Sequence, residues 1–260
     1  MSALQFVNAI GSVTIRQLDS LGRLVIFITQ ATQTVCSTSL KWHTVANQME
    51  KIGIGSLGIT LITGTFAGAV LAIQSYKGFH SLGSDNYIGP VVALSMAREL
   101  GPVLTGLMVT GRAGSAIAAE IGTMRITEQI DALQTLRINV FQYLIIPRIL
   151  AGLIVLPILA LFAIICGTLG GYAVCIYKLG LNSEVFKIGL KNMVEIADLR
   201  GGMIKAGVFG LILTTVGAYK GFYTTGGAKG VGQATTEAVV LSSILIVISN
   251  YFLAAILFGP

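Results

Sequence analysis

Arg98 and Glu99 are adjacent, opposite in charge, and set inside residues 88–109, a stretch otherwise apolar enough to cross a bilayer. An ionisable side chain at membrane depth costs a few kcal/mol or more, so it normally faces a protein interior or a wet cavity. Neighbours on a helix point about 100° apart and do not face each other. Each charge therefore needs a partner on another helix or on a second copy of the chain. The pair reads as the polar element of a site that moves or holds something polar, or as an ion pair that sets helix packing. The two readings are compatible.

Other chemistry is sparse. Cys36, Cys166 and Cys175 have no CxxC spacing and read as small apolar side chains. His43 and His80 match no ligand spacing, so no metal site is expected. No Ser-His-Asp, Cys-His or paired-carboxylate arrangement stands out. The glycine-rich run Gly226–Gly232 lacks the Lys-Ser/Thr ending of a phosphate-binding loop and reads as a flexible turn. The chain is expected to be no enzyme.

The elements that must position Arg98 and Glu99 follow from composition. The chain is 54% hydrophobic and 11% charged, against about 25% charge in soluble domains. One integral membrane domain, residues 1–260, is expected, with no secretory signal peptide at its start. Five spans are predicted at residues 54–73, 88–109 (running on through 113–121), 144–176 (long enough to tilt or break near Pro157), 203–223 and 238–258, each near the roughly 20 residues a bilayer core requires. Residues 1–50 are amphipathic. Leu18, Leu21, Val25 and Ile28 share a helical face, with Arg16, Asp19 and Arg23 elsewhere, which suits a helix lying in the interface. A short sixth span at residues 24–35 competes with that reading. Gly64…Gly68 and Gly217…Gly221 have the small-xxx-small form that lets helices approach closely, a common spacing in a chain with 32 glycines.

The formal charge of +6 is spread thinly and reads as topology, with no basic patch for nucleic acid. With the N-terminus inside, ten Lys/Arg fall on inner segments and six on outer ones, Lys205 among the six. Between the second and third spans, Ile126, Ile130 and Leu133 lie at i, i+4 and i+7 and form an apolar stripe, with Glu128 and Asp131 on another face. A short cytoplasmic helix of this kind is suited to docking on a soluble partner, and equally to being a solvated loop helix.

The runs Arg98-Glu-Leu-Gly-Pro-Val103, Gly111-Arg-Ala-Gly-Ser115, Ala119-Glu-Ile-Gly122, Met124-Arg-Ile-Thr-Glu-Gln129 and Pro147-Arg148 occur in order. Together they resemble the MlaE (YrbE) family of ABC-transporter permeases, over nearly the whole chain. The resemblance implies an all-α permease with an interfacial N-terminal helix, five spans and a coupling helix at about residues 120–137. It implies a homodimer on two cytoplasmic ATPase subunits, with an MCE-domain protein on the other side and phospholipid as substrate. ATP and magnesium would belong to the ATPase, leaving this chain without a cofactor. The coupling residues would be Glu120, Arg125, Ile126, Glu128, Ile130, Asp131 and Leu133. The family's charged pair maps onto Arg98 and Glu99 near the lipid cavity, and an antiparallel pairing of the first two spans, read from the chain itself, puts Leu71, Phe79, Leu82 and Leu100 at similar depth as the expected lipid contacts. A bacterial inner membrane is implied, with a plastid inner envelope also open. The competing classes are a secondary transporter or lipid-binding scaffold without ATP coupling, which would be expected to show internal repeats, and a membrane lipid enzyme, which would need a catalytic cluster.

Overall fold

The computed structural model describes Asp19, residues 22–35 and residues 41–259. Every regular element among them is helical. Helix α1 covers residues 22–35, α2 Trp42–Phe79, α3 Asp85–Ile126, α4 Gln129–Thr135, α5 Phe141–Lys178, α6 Ser183–Met193, α7 Ile196–Phe222 and α8 Gly227–Phe258. Helices α2, α3, α5, α7 and α8 are long and apolar enough to span a membrane.

Several boundaries differ from the sequence reading. The first span begins at Trp42, within the segment expected to be interfacial. The fourth begins at Ile196, because Glu195 and Asp198 form a reciprocal capping box that starts the helix before its apolar run. The glycine-rich run is not a loop: Gly226 and Gly227 take left-handed backbone conformations at the turn, and α8 opens at Gly227. Helix α5 runs unbroken through Pro157, whose ring lies opposite Gly207 of α7.

The 14 described residues of α1, 22–35, are fewer than the roughly 20 that a bilayer core requires. It is pinned by Phe27, which is fully buried with its ring centroid 5.2 Å from Phe141 and 5.8 Å from Tyr219. Val25 and Ile28 are exposed, as the apolar face of a helix lying in the interface would be, while Arg16, Leu18 and Leu21 lie outside the described residues.

Burial from water does not drive helix association inside a bilayer, so close packing must. Both small-xxx-small pairs serve this purpose. A Cβ at Gly64 would lie 2.8 Å from the Ala163 carbonyl oxygen, and one at Gly68 would overlap the Gly167 carbonyl. Gly217 and Gly221 meet the Gly114 and Ala118 carbonyls of α3 in the same way, at 2.9 and 2.8 Å. Thus α2 lies backbone to backbone against α5, and α3 against α7. Helix α7 is the central element and α8 the peripheral one: 67% of the α7 window is buried, against 11% for α8.

The antiparallel order puts α4 and the α7–α8 turn at one end of the bundle. The α2–α3 turn, α6 and the end of α8 lie at the other. At that second end, Ile88, Val92, Cys175 and Phe186 form a separate small core.

Candidate functional site

Arg98 and Glu99 lie in a π-helical turn, Met96–Leu100, within α3. Such turns are rare and frequent at functional sites. Pro102, four residues after Arg98, has no N–H to give the Arg98 carbonyl in the α-helical pattern. Lys205 Nζ donates to that carbonyl instead, at 3.0 Å.

The two charges find separate partners on neighbouring helices, as their angular separation requires. Arg98 donates through Nε and Nη2 to Asp198 Oδ1, each at 2.7 Å. The other Asp198 oxygen accepts from the Glu195 backbone N–H at 2.9 Å, so one carboxylate caps α7 and holds the arginine. Glu99 Oε1 accepts from Lys205 Nζ at 2.6 Å, and Oε2 from Asn250 Nδ2 at 2.9 Å. The Phe258 ring sits 5.1 Å from both Arg98 Cζ and Lys205 Nζ, within cation–π range. Two positive and two negative groups are thereby compensated among α3, α7 and α8. Asp198 and Lys205 are buried, whereas the Arg98 and Glu99 side chains remain 42% and 39% exposed.

Asp198, Lys205 and Asn250 were not singled out from sequence. Lys205, counted there as an outer-loop charge, is fully buried in α7 and serves as a counter-ion. Lys205 sits about two and a half turns into α7, whereas a span that starts at residue 203 puts it at the membrane edge.

The expected lipid contacts do not converge on one cavity. Leu71 and Phe79 are half-buried against the Ile88–Phe186 core. Leu82 is 74% exposed in the α2–α3 turn, and Leu100 is half-buried beside the network. None of the six residues lines either of two large apolar recesses, of about 500 and 420 Å³.

The expected coupling helix is broken in two. Glu128 adopts φ 59°, a left-handed conformation that separates Ile126 from Gln129. The i, i+4, i+7 spacing of Ile126, Ile130 and Leu133 therefore does not run along one helix. Ile130 is fully buried and Leu133 partly buried against this chain's own core. The expectation that Ile130 faces a partner is corrected: it anchors the hairpin. The most exposed apolar group at this tip is Leu136, at 71%, with Ile138 at 39%. Arg125 pairs with Asp131 at 2.6 Å across the break, and Glu128 is exposed. Glu120 is held by Arg148 at 2.8 Å and Lys51 at 3.4 Å, tying α3 to α5 and α2.

Comparison with known proteins agrees with this architecture. The family model described as Permease MlaE matches residues 45–256. The chain is 47% identical over 255 residues to "Probable ABC transporter permease protein" of Rickettsia bellii, covering 98% of each chain. It is 35% identical over 257 residues to "Intermembrane phospholipid transport system permease protein MlaE" of Haemophilus influenzae, again covering 98% of each. It is 39% identical over 219 residues to "Protein TRIGALACTOSYLDIACYLGLYCEROL 1, chloroplastic" of Arabidopsis thaliana, covering 84% of this chain and 63% of that one. With five membrane-length apolar helices and a family match across nearly all of them, this chain is an integral membrane protein of the MlaE family of ABC-transporter permeases.

Proposed function

We propose that this chain is the non-catalytic membrane subunit of a transporter that moves phospholipids between membranes. The carrying observation is the half-exposure of Arg98 and Glu99 at membrane depth, beside α8. Charges left open to lipid tails would be costly. The outward face of α8, including Val247, Tyr251, Phe252 and Ile256, is unpartnered and apolar. A second copy packed through α8 would enclose both features in a central cavity. Apolar walls with a few convergent polar groups are the usual make-up of a ligand site. Here they would suit acyl chains capped by a polar headgroup. Closed two-fold symmetry is also the commonest oligomeric arrangement.

The partners that fit are two cytoplasmic ATPases at the α4 end, which would hold ATP and magnesium, and an MCE-domain protein at the α6 end. Leu100 lies beside the charged network, and Leu82 at the α6 end of the bundle, where the path would open. A photo-crosslinking residue at either position is expected to capture phospholipid in the assembled transporter. Capture on lipid-facing α5 positions but at neither of these would overturn the placement.

Docking of the ATPase at the α4 tip has its own consequence. Glu128, Asp131, Arg125 and Arg137 are charged groups there, and Leu136 is the most exposed apolar one. Glu128→Lys is expected to weaken co-purification of the ATPase, or to uncouple hydrolysis from transport, while leaving the unfolding temperature unchanged. Normal assembly, hydrolysis and transport in that variant would remove the tip from the docking surface.

A further inference from the structure

A recess of about 500 Å³ lies away from Arg98 and Glu99, between α1, α5, α7 and α8. Its walls are almost wholly apolar and include Ile28 and Val35, Ile146, Leu211 and Val216, and Leu245. That size falls within the roughly 300–1,000 Å³ range of ligand sites. A second recess of about 240 Å³ lies nearer the α4 end and is polar: Arg23, Lys220, Gln233 and Glu237 line it. The two share no lining residue but are neighbours along α1 and α7. Leu24 borders the first and Arg23 the second, and Lys220 is one helical turn beyond Val216.

The dimensions match a single leaflet. Nine residues of α7 separate Lys220 from Leu211, or about 14 Å at 1.5 Å per residue. Half of a bilayer core is about 15 Å. The polar end carries charges of both signs: Arg23 is paired with Asp19, and Lys220 with Glu237 at 2.8 Å. Gln233 Nε2 also donates to Glu237 at 2.9 Å.

We infer that this groove holds one phospholipid from the α4-side leaflet, with its phosphate at Arg23 and Lys220 and an acyl chain along Leu211–Leu245 beneath α1. Lipid tails are as apolar as leucine, so the apolar wall selects by shape and not by burial. The headgroup contact supplies the preference over bulk lipid. The occupant is a bound lipid separate from any cargo of the central cavity, and it fastens α1 to the bundle beside the Phe27 anchor.

The test uses the full chain in nanodiscs of phosphatidylethanolamine doped with a phospholipid bearing an acyl-chain diazirine. After irradiation, labelled peptides are mapped by mass spectrometry. Labelling of residues 146–150 and 211–216 is expected to exceed that around exposed Ile62 and Phe162 by about fivefold, the factor that a contact near 1 kcal/mol carries. It is also expected to saturate with probe fraction. Lys220→Gln should reduce groove labelling to the surface level while surface labelling persists, and Thr215→Trp should do the same by filling the groove. Equal, non-saturating labelling at all positions would mean ordinary bulk lipid and overturn the site. Groove crosslinks running chain to chain would assign the surface to a second copy and also overturn it. Unchanged groove labelling in folded Lys220→Gln would overturn the headgroup contact.

Discussion

Lys205→Met is expected to destabilise the protein by about 3 kcal/mol, the low end of the cost of removing one partner of a buried ion pair. The low end applies because Glu99, the group left behind, is partly exposed while Lys205 is fully buried. The substitution also removes the donor to the Arg98 carbonyl, which Pro102 cannot replace. Asn250 would then be the one remaining partner of Glu99 among the described residues. The measurement is the unfolding temperature of the purified chain in nanodiscs, alongside phospholipid transfer by the assembled complex. Both should fall. Adding Glu99→Gln to Lys205→Met should restore much of the unfolding temperature, because the uncompensated charge is gone, and it should leave transfer impaired. An unchanged unfolding temperature in Lys205→Met would show that the network contributes little to the fold. Full transfer in the folded double variant would reduce the Glu99 charge to a packing device.

Gly68→Leu is expected to have a comparable or larger effect by a different route. A Cβ alone at that position would overlap the Gly167 carbonyl on α5. Backbone cannot rotate away as a side chain can, so the two helices would have to separate along their length. Overpacking a tight contact costs about 1–3 kcal/mol even where side chains can adjust, and here the obstructing atom is main chain. The folded yield in membranes should collapse. Gly58→Ala is the control: it lies in the same helix, and a methyl group added there would meet nothing within 4 Å. It should be neutral or stabilise by up to about 1 kcal/mol, as glycine removal from a helix interior does. Equal tolerance of both substitutions would show that α2 and α5 are not held by backbone approach.

Helix number and class were legible in the chain because they depend on local composition. A bilayer core demands a run of apolar residues, and five such runs stand out whatever their neighbours. The Arg98–Glu99 pair was legible for the same reason, since charge within an apolar run is costly wherever the run packs. The linked motifs from Arg98 to Arg148 carried the family resemblance, which the match over residues 45–256 bears out.

Other features depended on contacts between distant segments. The partners of Arg98 and Glu99 are about a hundred residues or more away, at Asp198, Lys205 and Asn250. No sequence period links them, and only the approach of α3, α7 and α8 brings them together. The small-xxx-small glycines could be seen but not weighed, because their meaning lies in the carbonyl across the interface. The stripe of Ile126, Ile130 and Leu133 misled because periodicity assumes an unbroken helix. The left-handed Glu128 breaks it and turns Ile130 into the core. Sequence alone determined what had to enter the membrane and which charges would need company there. The tertiary structure decided which partners supply it, because in a solvent as apolar as leucine, helix pairing is set by shape and polar contact.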